Sequence, residues 1–308
     1  MSTSEIVPQA LEGERIDRVV AVIGGFTRSD AALAVDNGKV TIGGQVVTSR
    51  SRRVHIGDEI VVDATPTVVV VTLDPDPSIR FEVVFEDADV LVVNKPPGLV
   101  VHPGTGTVKG TLVHGLLARY PDLAALAVGD QDIRPGIVHR LDKGTSGLLM
   151  VGRTPEAVAS LVKQLAARSV ERRYVALAWG RFSARAGLID APVGRSDSDP
   201  TRMAVSASGR EARTRYEVTH QYEHPEATAL VACRLETGRT HQIRVHLAAI
   251  GHPVVGDTAY GGAKRTIPSP RVFLHAATLG FTHPVTGERL SFTSELPKDL
   301  AAVVATLS

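Results

Sequence analysis

One carboxylate in the chain is surrounded by the residue types that nucleophilic and acid–base chemistry require. Asp142 stands between Arg140 and Lys143 in the segment RPGIVHRLDKGTSGLLMVGRT, residues 134 to 154, with His139 three positions before it. Gly144, Thr145, Ser146 and Gly147 follow, a tight loop of flexible backbone and short hydroxyls whose N–H groups could fix the carboxylate. A carboxylate held in this way can act as a nucleophile. The same turn chemistry also suits an Asp that only anchors a loop, and the loop residues by themselves leave both possibilities open.

Two further side chains are candidates for the same chemistry. In ERRYVALAWG, strand alternation puts Tyr174, Ala176 and Ala178 on one face and Val175, Leu177 and Trp179 on the other, so a lone aromatic lies beside two small residues with room for a planar ring. Ordinary cross-strand packing explains the same tyrosine. In GRTHQIRVHLAAIGHP, Thr240 as N-cap, Gly251 after the last apolar residue and Pro253 beyond predict a helix, with Arg244 in its early turns. Metal ligation is not expected: His241 and His246 are five apart, off the i, i+4 face of a helical zinc pair, and no glutamate lies between them. The Gly104-Thr-Gly106 step is no dinucleotide fingerprint. Lys95, in an Asn-Lys-Pro-Pro-Gly turn, and His102 read as structural polar flanks.

These residues need a scaffold, and the composition allows one. With 308 residues, 43% of them hydrophobic, the chain can bury one sizeable core and still form a small second module. Basic and acidic residues, 34 against 33, nearly cancel, which excludes a uniformly basic packaging protein and leaves nucleic-acid binding to local patches. A single cysteine, Cys233, fits a reducing setting, and the N-terminal residues lack a signal-peptide pattern. The longest apolar run, around Val68 to Val71, is far too short to span a bilayer. A cytoplasmic protein without membrane partners is expected.

Along the chain, residues 1 to 13 are polar and unpatterned and read as a flexible tail. Apolar Ile16, Val19, Val20 and Ile23 recur at helical spacing until Gly24-Gly25; Ser29 is placed to cap a second helix, which Asn37-Gly38 ends. Val40 and Ile42, the turn candidate Gly43-Gly44, the Val46-Val47 segment and Glu59 to Val62 then predict a hairpin-rich sheet, completing a unit over residues 14 to 63. Residues 64 to 80, with Pro66, Pro75 and Pro77, read as a linker. From residue 81 to 308, seven strand-like runs alternate irregularly with helical stretches: 82–85, 90–93, 148–151, 173–179, 214–220, 228–235 and 273–281. That ordering predicts an α+β domain with a mixed, largely antiparallel sheet.

In the small unit the placement of basic residues matters more than their number. Arg15 and Arg18 open the first helix, Arg28 precedes the second, Lys39 follows it, and Arg50, Arg52 and Arg53 cluster beyond the hairpin. Guanidinium groups edging a helix pair can grip phosphates on a folded RNA. A solvated charged face is the plain alternative.

Two motif strings carry a resemblance. ERIDRVVAVIGGFTRSDAALAVDNGKVTIGGQVV, closing with GDEIVV, resembles the S4 RNA-binding domain, with Gly43 where that family often has Asn. HRLDKGTSG, residues 139 to 147, is similar to the signature loop of the RluA/RluD family of pseudouridine synthases, with Gly144 in place of an often acidic residue. The likeness extends to VLVVNKPPGLVVHPG, residues 90 to 104, and to LETGRTHQIRVHLAAIGHPVVGDTAYG, residues 235 to 261. It implies that Asp142 attacks the target uridine, that Tyr174 stacks on uracil and moves a proton, and that Arg244 pairs with the aspartate. It further implies that Arg140 fills the gap left by a flipped base and that His139 and Thr145 contact substrate. The reaction breaks N1–C1′, turns the retained base and rejoins it through C5, so no cofactor is expected. The expected partner is RNA, ribosomal RNA or pre-ribosomal particles first, with no DNA, and the protein is expected to be a monomer. A non-catalytic S4-type ribosome-assembly factor and a glycosidase-like hydrolase using Asp142 are the competing functions: the first tolerates loss of Asp142, the second releases free base.

Overall fold

The computed structural model describes every residue except 1–2, 24–25, 27, 65–72, 105–106, 127–133, 197–198 and 200–201, and leaves the side chains of 3, 10, 28 and 29 undescribed. The chain divides into two compact units, Met1–Thr72 and Leu73–Ser308.

The first unit is built from β1 (Thr3–Ile6), a 3-10 turn (Gln9–Leu11), α1 (Ile16–Ile23), α2 (Arg28–Asp36), β2 (Val40–Ile42), β3 (Gln45–Val46) and β4 (Glu59–Val62). The strands form an antiparallel sheet in the order β1-β4-β2-β3. Ile16, Val19 and Val20 of α1 pack against Ala31 and Val35 of α2 and against Val40, Ile60 and Val62 of the sheet. The hairpin turns on Gly43 and Gly44 at φ +55° and +80°, the pair of left-handed residues that the twist of a two-residue turn demands. Gly38 at φ +65° ends α2 while the Lys39 N–H donates to the Ala34 carbonyl at 2.8 Å.

Segment 1–13 is not a free tail. Thr3 to Ile6 pair in register with Val62 to Glu59, and Val7 is 1% exposed. Four residues carry too little alternation to announce a strand; the open edge of β4 supplies the hydrogen bonds that define it. Helix α2 begins at Arg28, so Ser29 lies in its first turn rather than capping it. Gly24-Gly25, Pro66 and the valine run at 68–71 lie outside the described residues.

The second unit holds β5 (Glu82–Glu86), β6 (Val90–Lys95), α3 (Leu112–Arg119), a 3-10 segment (Pro121–Leu126), β7 (Ser146–Gly152), α4 (Pro155–Ala166), β8 (Glu171–Trp179), β9 (Ala186–Asp190), β10 (Val193–Arg195) and β11 (Met203–Val205). It continues through β12 (Arg213–Tyr222), β13 (Thr228–Leu235), α5 (Gln242–Ala249), β14 (Leu274–Thr282), β15 (Arg289–Thr293) and α6 (Lys298–Val304). All seven expected strands are present. They join in one sheet of order β5-β6-β7-β14-β8-β13-β12-β9, with β15 on β14, and every pairing is antiparallel except β7 with β14. The fold is α+β. Residue 73 to residue 80, expected as linker, is part of this unit: the Asp76 N–H donates to the His114 carbonyl at 2.9 Å. Among the described residues no helix is long and apolar enough to cross a membrane.

Alternation along β6 and β7 splits the hydrophobic core between the two faces of the sheet. Leu91, Val93, Leu149 and Val151 pack with Leu112 and Leu116 of α3, while Val90, Val92, Leu148 and Met150 pack with Ala157 and Leu161 of α4. Thr154 fixes the start of α4 by accepting the Ala157 N–H at 3.1 Å, with Pro155 in the first turn. Burial on both faces is why 148–151 reads as a continuous apolar run.

The short parallel contact, His275 and Ala276 of β14 beside Ser146 and Gly147 of β7, ties the loop before β7 to the sheet. Gly147 has φ +114°, and a Cβ there would stand 2.3 Å from the Ala276 carbonyl oxygen. Both features require glycine. Gly147→Ala is expected to lower the unfolding free energy by about 2 kcal/mol or more; an unchanged urea midpoint with an unchanged slope would contradict this.

Candidate active site

The loop that follows Ile137 carries Asp142 to the wall of a cavity of about 590 Å³. Its backbone is pinned from two sides. Buried Lys95 donates from Nζ to the Pro96 and Leu99 carbonyls at 2.9 Å and reaches the Lys143 carbonyl at 3.5 Å. Arg271, held by Asp299 at 2.6 Å, donates to the Gly144 carbonyl and to Ser146 Oγ, each at 3.0 Å. Burial pulls the Lys95 ammonium down to about 7, against the pull of the Asp142 carboxylate.

The Asp142 carboxylate is met by Arg244, the partner that the resemblance implied, where the loop residues alone had suggested turn N–H groups. Within its own turn the Thr145 N–H donates to the Asp142 backbone carbonyl at 3.1 Å, and the side-chain oxygen Oδ2 instead accepts Arg244 Nη1 at 3.2 Å. Arg244, 9% exposed, is no surface arginine. It also donates from Nε and Nη2 to the two oxygens of Asp257 at 2.6 and 2.9 Å, and its guanidinium lies 5.0 Å from the centre of the Tyr260 ring. Although burial works against its charge, the two carboxylates raise the Arg244 guanidinium above its ordinary value. Asp257 is fixed in turn by the N–H groups of Ala259 and Tyr260 at 2.9 and 3.3 Å.

Asp257 carried no signal toward Arg244 in the sequence. It follows Gly256 in a turn, thirteen positions beyond its partner, and a Gly-Asp step in a turn needs no distant cation. Helix α5 also starts later than expected, at Gln242. Its N-cap is His241 with φ +57° and no side-chain cap bond, not Thr240. Gln242 substitutes for a cap: its Oε1 accepts the Arg239 N–H at 3.0 Å and the Thr237 hydroxyl at 2.7 Å. The left-handed His241 has its Nε2 4.0 Å from Asp142 Oδ2 and its Nδ1 2.9 Å from the Tyr260 hydroxyl; burial lowers its pKa. Such a conformation persists only where the surroundings impose it.

Tyr174 of β8 lines the same cavity at 6% exposure, and burial pushes its phenol up to about 12. His139 Nε2 accepts the Met150 N–H at 3.1 Å, while burial drives the ring down to about 3, so the imidazole is neutral. Its Nδ1 therefore carries the proton; among the described residues neither this nitrogen nor the buried Thr145 Oγ1 has a hydrogen-bond partner. Both residues line the cavity with exposed Arg140 and buried His102.

The basic residues of the first unit form their own surface. Arg15 pairs with Asp17 at 2.7 Å, Arg18 with Glu14 at 2.8 Å and Arg50 Nε with Asp36 at 2.7 Å, while Arg53 donates to the Gly13 carbonyl at 2.8 Å. Lys39 and Arg52 are exposed, and the side chain of Arg28 lies outside the described residues. Exposed pairs of this kind are worth at most about 1 kcal/mol, so phosphate can displace them.

One grouping with metal-ligand chemistry occurs elsewhere, at Asp87, Asp89 and His283. His283 Nδ1 accepts the Thr286 N–H at 3.0 Å and Nε2 meets Asp87 Oδ2 at 2.9 Å, so both ring nitrogens are already committed.

A sheet with helices on both faces and an Asp–Arg–Asp chain, in a chain that also holds a small helix-pair unit, has clear relatives. Residues 89–249 match the family model for RNA pseudouridylate synthase, and residues 14–60 match the S4 domain. An uncharacterized RNA pseudouridine synthase of Bacillus subtilis is 42% identical over 96% of this chain and 95% of that protein. The ribosomal large subunit pseudouridine synthase D of Vibrio parahaemolyticus is 41% identical over 96% of this chain and 91% of its own length. Human RNA pseudouridylate synthase domain containing 1 superposes with a TM-score of 0.58 at 28% identity, covering 76% of this chain and 91% of that one. The chain belongs to the RNA pseudouridylate synthase family, isomerases of uridine in RNA, and carries an S4 RNA-binding domain.

Two outcomes follow from the site's electrostatics. Asp257→Ala leaves Arg244 half-paired in a buried position and is expected to cost about 3–5 kcal/mol of stability; a denaturation midpoint within error of wild type would refute this. For Tyr174 the folded state holds its proton to about 12 against an ordinary value of 10, so the stability it contributes is complete below pH about 10 and lost as pH rises toward 12. Tyr174→Phe should flatten that alkaline loss in denaturation curves taken from pH 9 to 12; an identical slope in the two proteins would contradict the assignment.

Proposed function

We propose that this enzyme converts specific uridines of large-subunit ribosomal RNA to pseudouridine, with Asp142 as the attacking carboxylate. The observation that carries the assignment is the Asp142 carboxylate lining the cavity, aimed by a 3.2 Å hydrogen bond from an arginine that is itself anchored by Asp257. A nucleophile gains most when its orientation is set before substrate arrives. Arg244 fixes the direction of the carboxylate, because the bidentate bond to Asp257 leaves the guanidinium one free edge.

In this mechanism Asp142 attacks the flipped nucleotide, the N1–C1′ bond breaks, and the freed uracil turns so that C5 faces C1′. The new C5–C1′ bond forms, the bond made by Asp142 breaks and returns its carboxylate, C5 loses its proton and N1 carries one at the end, so nothing is gained or lost overall. Tyr174, followed on its strand face by the small Ala176 and Ala178, stacks on the uracil and with its raised pKa serves as a proton donor or relay rather than as a standing base. Thr145 Oγ1, otherwise unpartnered, hydrogen-bonds the base. Arg140, exposed at the rim, enters the gap in the RNA stack, whose opening costs a few kcal/mol. The substrate class rests on relatives named for the ribosomal large subunit, and the S4 domain with its displaceable ion pairs holds the RNA.

Asp142→Asn should reduce pseudouridine formation on the order of 10⁴-fold or more while RNA binding survives. Carbodiimide-block primer extension on rRNA treated with each protein measures it. Pseudouridine at wild-type rate from the Asn variant overturns the role of Asp142. Free uracil instead of pseudouridine makes the protein a hydrolase, and no product on any rRNA from the wild type removes the substrate assignment.

A further inference from the structure

The cavity extends beyond the reactive carboxylate along a wall that the mechanism leaves unused. Arg172 lies two residues before Tyr174 on the inward face of β8, only 7% exposed, and lines the same cavity. Among the described residues no carboxylate or carbonyl meets it, and its Nε is buried without a partner. Its neighbour Arg173 points outward and takes Glu171 at 2.6 Å. The nearby acidic side chains are already engaged: Glu236 holds Arg215 at 2.6 Å and Arg213 at 3.0 Å, and Glu211 holds Arg168 at 2.7 Å. Arg239, on the same wall, is pulled below its ordinary value by burial and by Arg210.

A buried guanidinium without an acceptor costs several kcal/mol unless an anion arrives to neutralise it. The fold makes room for this one. A Cβ on Gly238 would stand 2.8 Å from Arg172 Nη1, so the loop before α5 passes close over the guanidinium and a side chain at residue 238 would displace it. His139 lies close enough for its ring to feel the Arg172 charge, and its unpartnered Nδ1–H is a donor on the same wall. The set is made of donors with net positive charge. A neutral base carbonyl would leave the guanidinium uncompensated; a phosphate oxygen compensates the charge and accepts both hydrogen bonds.

We propose that Arg172 and the Nδ1–H of His139 form a subsite for one phosphodiester group of the bound RNA strand, next to the nucleotide that reacts at Asp142. The subsite rests on the function proposed above. Arg172 and Tyr174 are two steps apart along the strand, about 6.6 Å at the usual rise, so a phosphate flanking the stacked base lies within reach. Arg172 is in this sense a positioning residue: it fixes the register of the strand against the carboxylate.

The test uses full-length protein carrying Asp142→Asn, so that binding is read without turnover. RNA fragments of a bound rRNA segment carry a single neutral methylphosphonate at successive linkages, and fluorescence anisotropy gives Kd. One linkage is expected to weaken binding roughly tenfold, and the same linkage should have no effect once Arg172→Met is added. Gly238→Ala, which keeps the charge but displaces it, should blunt the same effect. Arg172→Met should also leave the RNA-free protein as stable as its parent or more so, since it removes an uncompensated buried charge. Losses from the methylphosphonate and from Arg172→Met that multiply independently overturn the subsite, as does a variant that unfolds at markedly lower temperature. Stabilisation by inorganic phosphate with a flat methylphosphonate series assigns the site to a free phosphate and equally overturns it. Failure of the wild type to form pseudouridine appears in the separate turnover assay and leaves these binding outcomes readable.

Discussion

The guanidinium of Arg244, shared between the carboxylates of Asp142 and Asp257, is the interaction around which the catalytic unit is arranged. One cation between two anions, largely shielded from water, is tolerable only if every charge is directed. Asp257 is held by N–H groups of its own turn, Arg244 by the first turns of α5, and Asp142 by a loop anchored at Lys95 and Arg271. Three chain segments far apart in sequence are thus required to meet within hydrogen-bond distance. The geometry is determined before any RNA is present, which is the condition under which a carboxylate can be an efficient nucleophile.

The sheet makes that meeting possible. β7 leaves the Asp142 loop and enters the middle of the sheet beside β14, in the one parallel contact of the unit, while β8 on the other side of β14 brings Tyr174 and Arg172 inward. Because side chains alternate across a strand, one strand presents both an aromatic for a base and a cation for a phosphate to a single cavity, with Arg173 between them turned to solvent. Buried His139 Nδ1, Thr145 Oγ1 and Arg172 Nε border that cavity, and among the described residues none of the three atoms has a hydrogen-bond partner.

The small unit follows a different logic. Its helices and sheet share a core of about a dozen aliphatic and aromatic side chains, and its arginines pair with neighbouring carboxylates at the surface. Exposed pairs of this kind exchange readily for phosphate oxygens, so the unit suits reversible RNA holding, whereas the buried Arg244 and Arg172 suit discrimination within the cleft.

Strands of the catalytic unit were legible in the sequence because each carries enough apolar residues to show its period, and the S4-type helix pair was legible from its glycine-marked ends. The tail strand Thr3–Ile6 was not, because four residues without a hydrophobic pattern become a strand only when β4 offers an edge. The His241 cap was misplaced by one residue, since a left-handed histidine is imposed by packing around Asp142 and Tyr260 rather than by propensity. Asp142, Tyr174 and Arg244 could be named from the motif strings, and the structure places Asp142 and Tyr174 at one cavity with Arg244 hydrogen-bonded to Asp142. Asp257 and the solitary Arg172 could not. Sequence by itself determined most of the elements, the family and the candidate reactive side chains, because these depend on local pattern and residue type. Which charges are paired, which are left waiting and which carboxylate orients which arginine were decided by tertiary structure alone, because burial and partnership are properties of segments brought together in space.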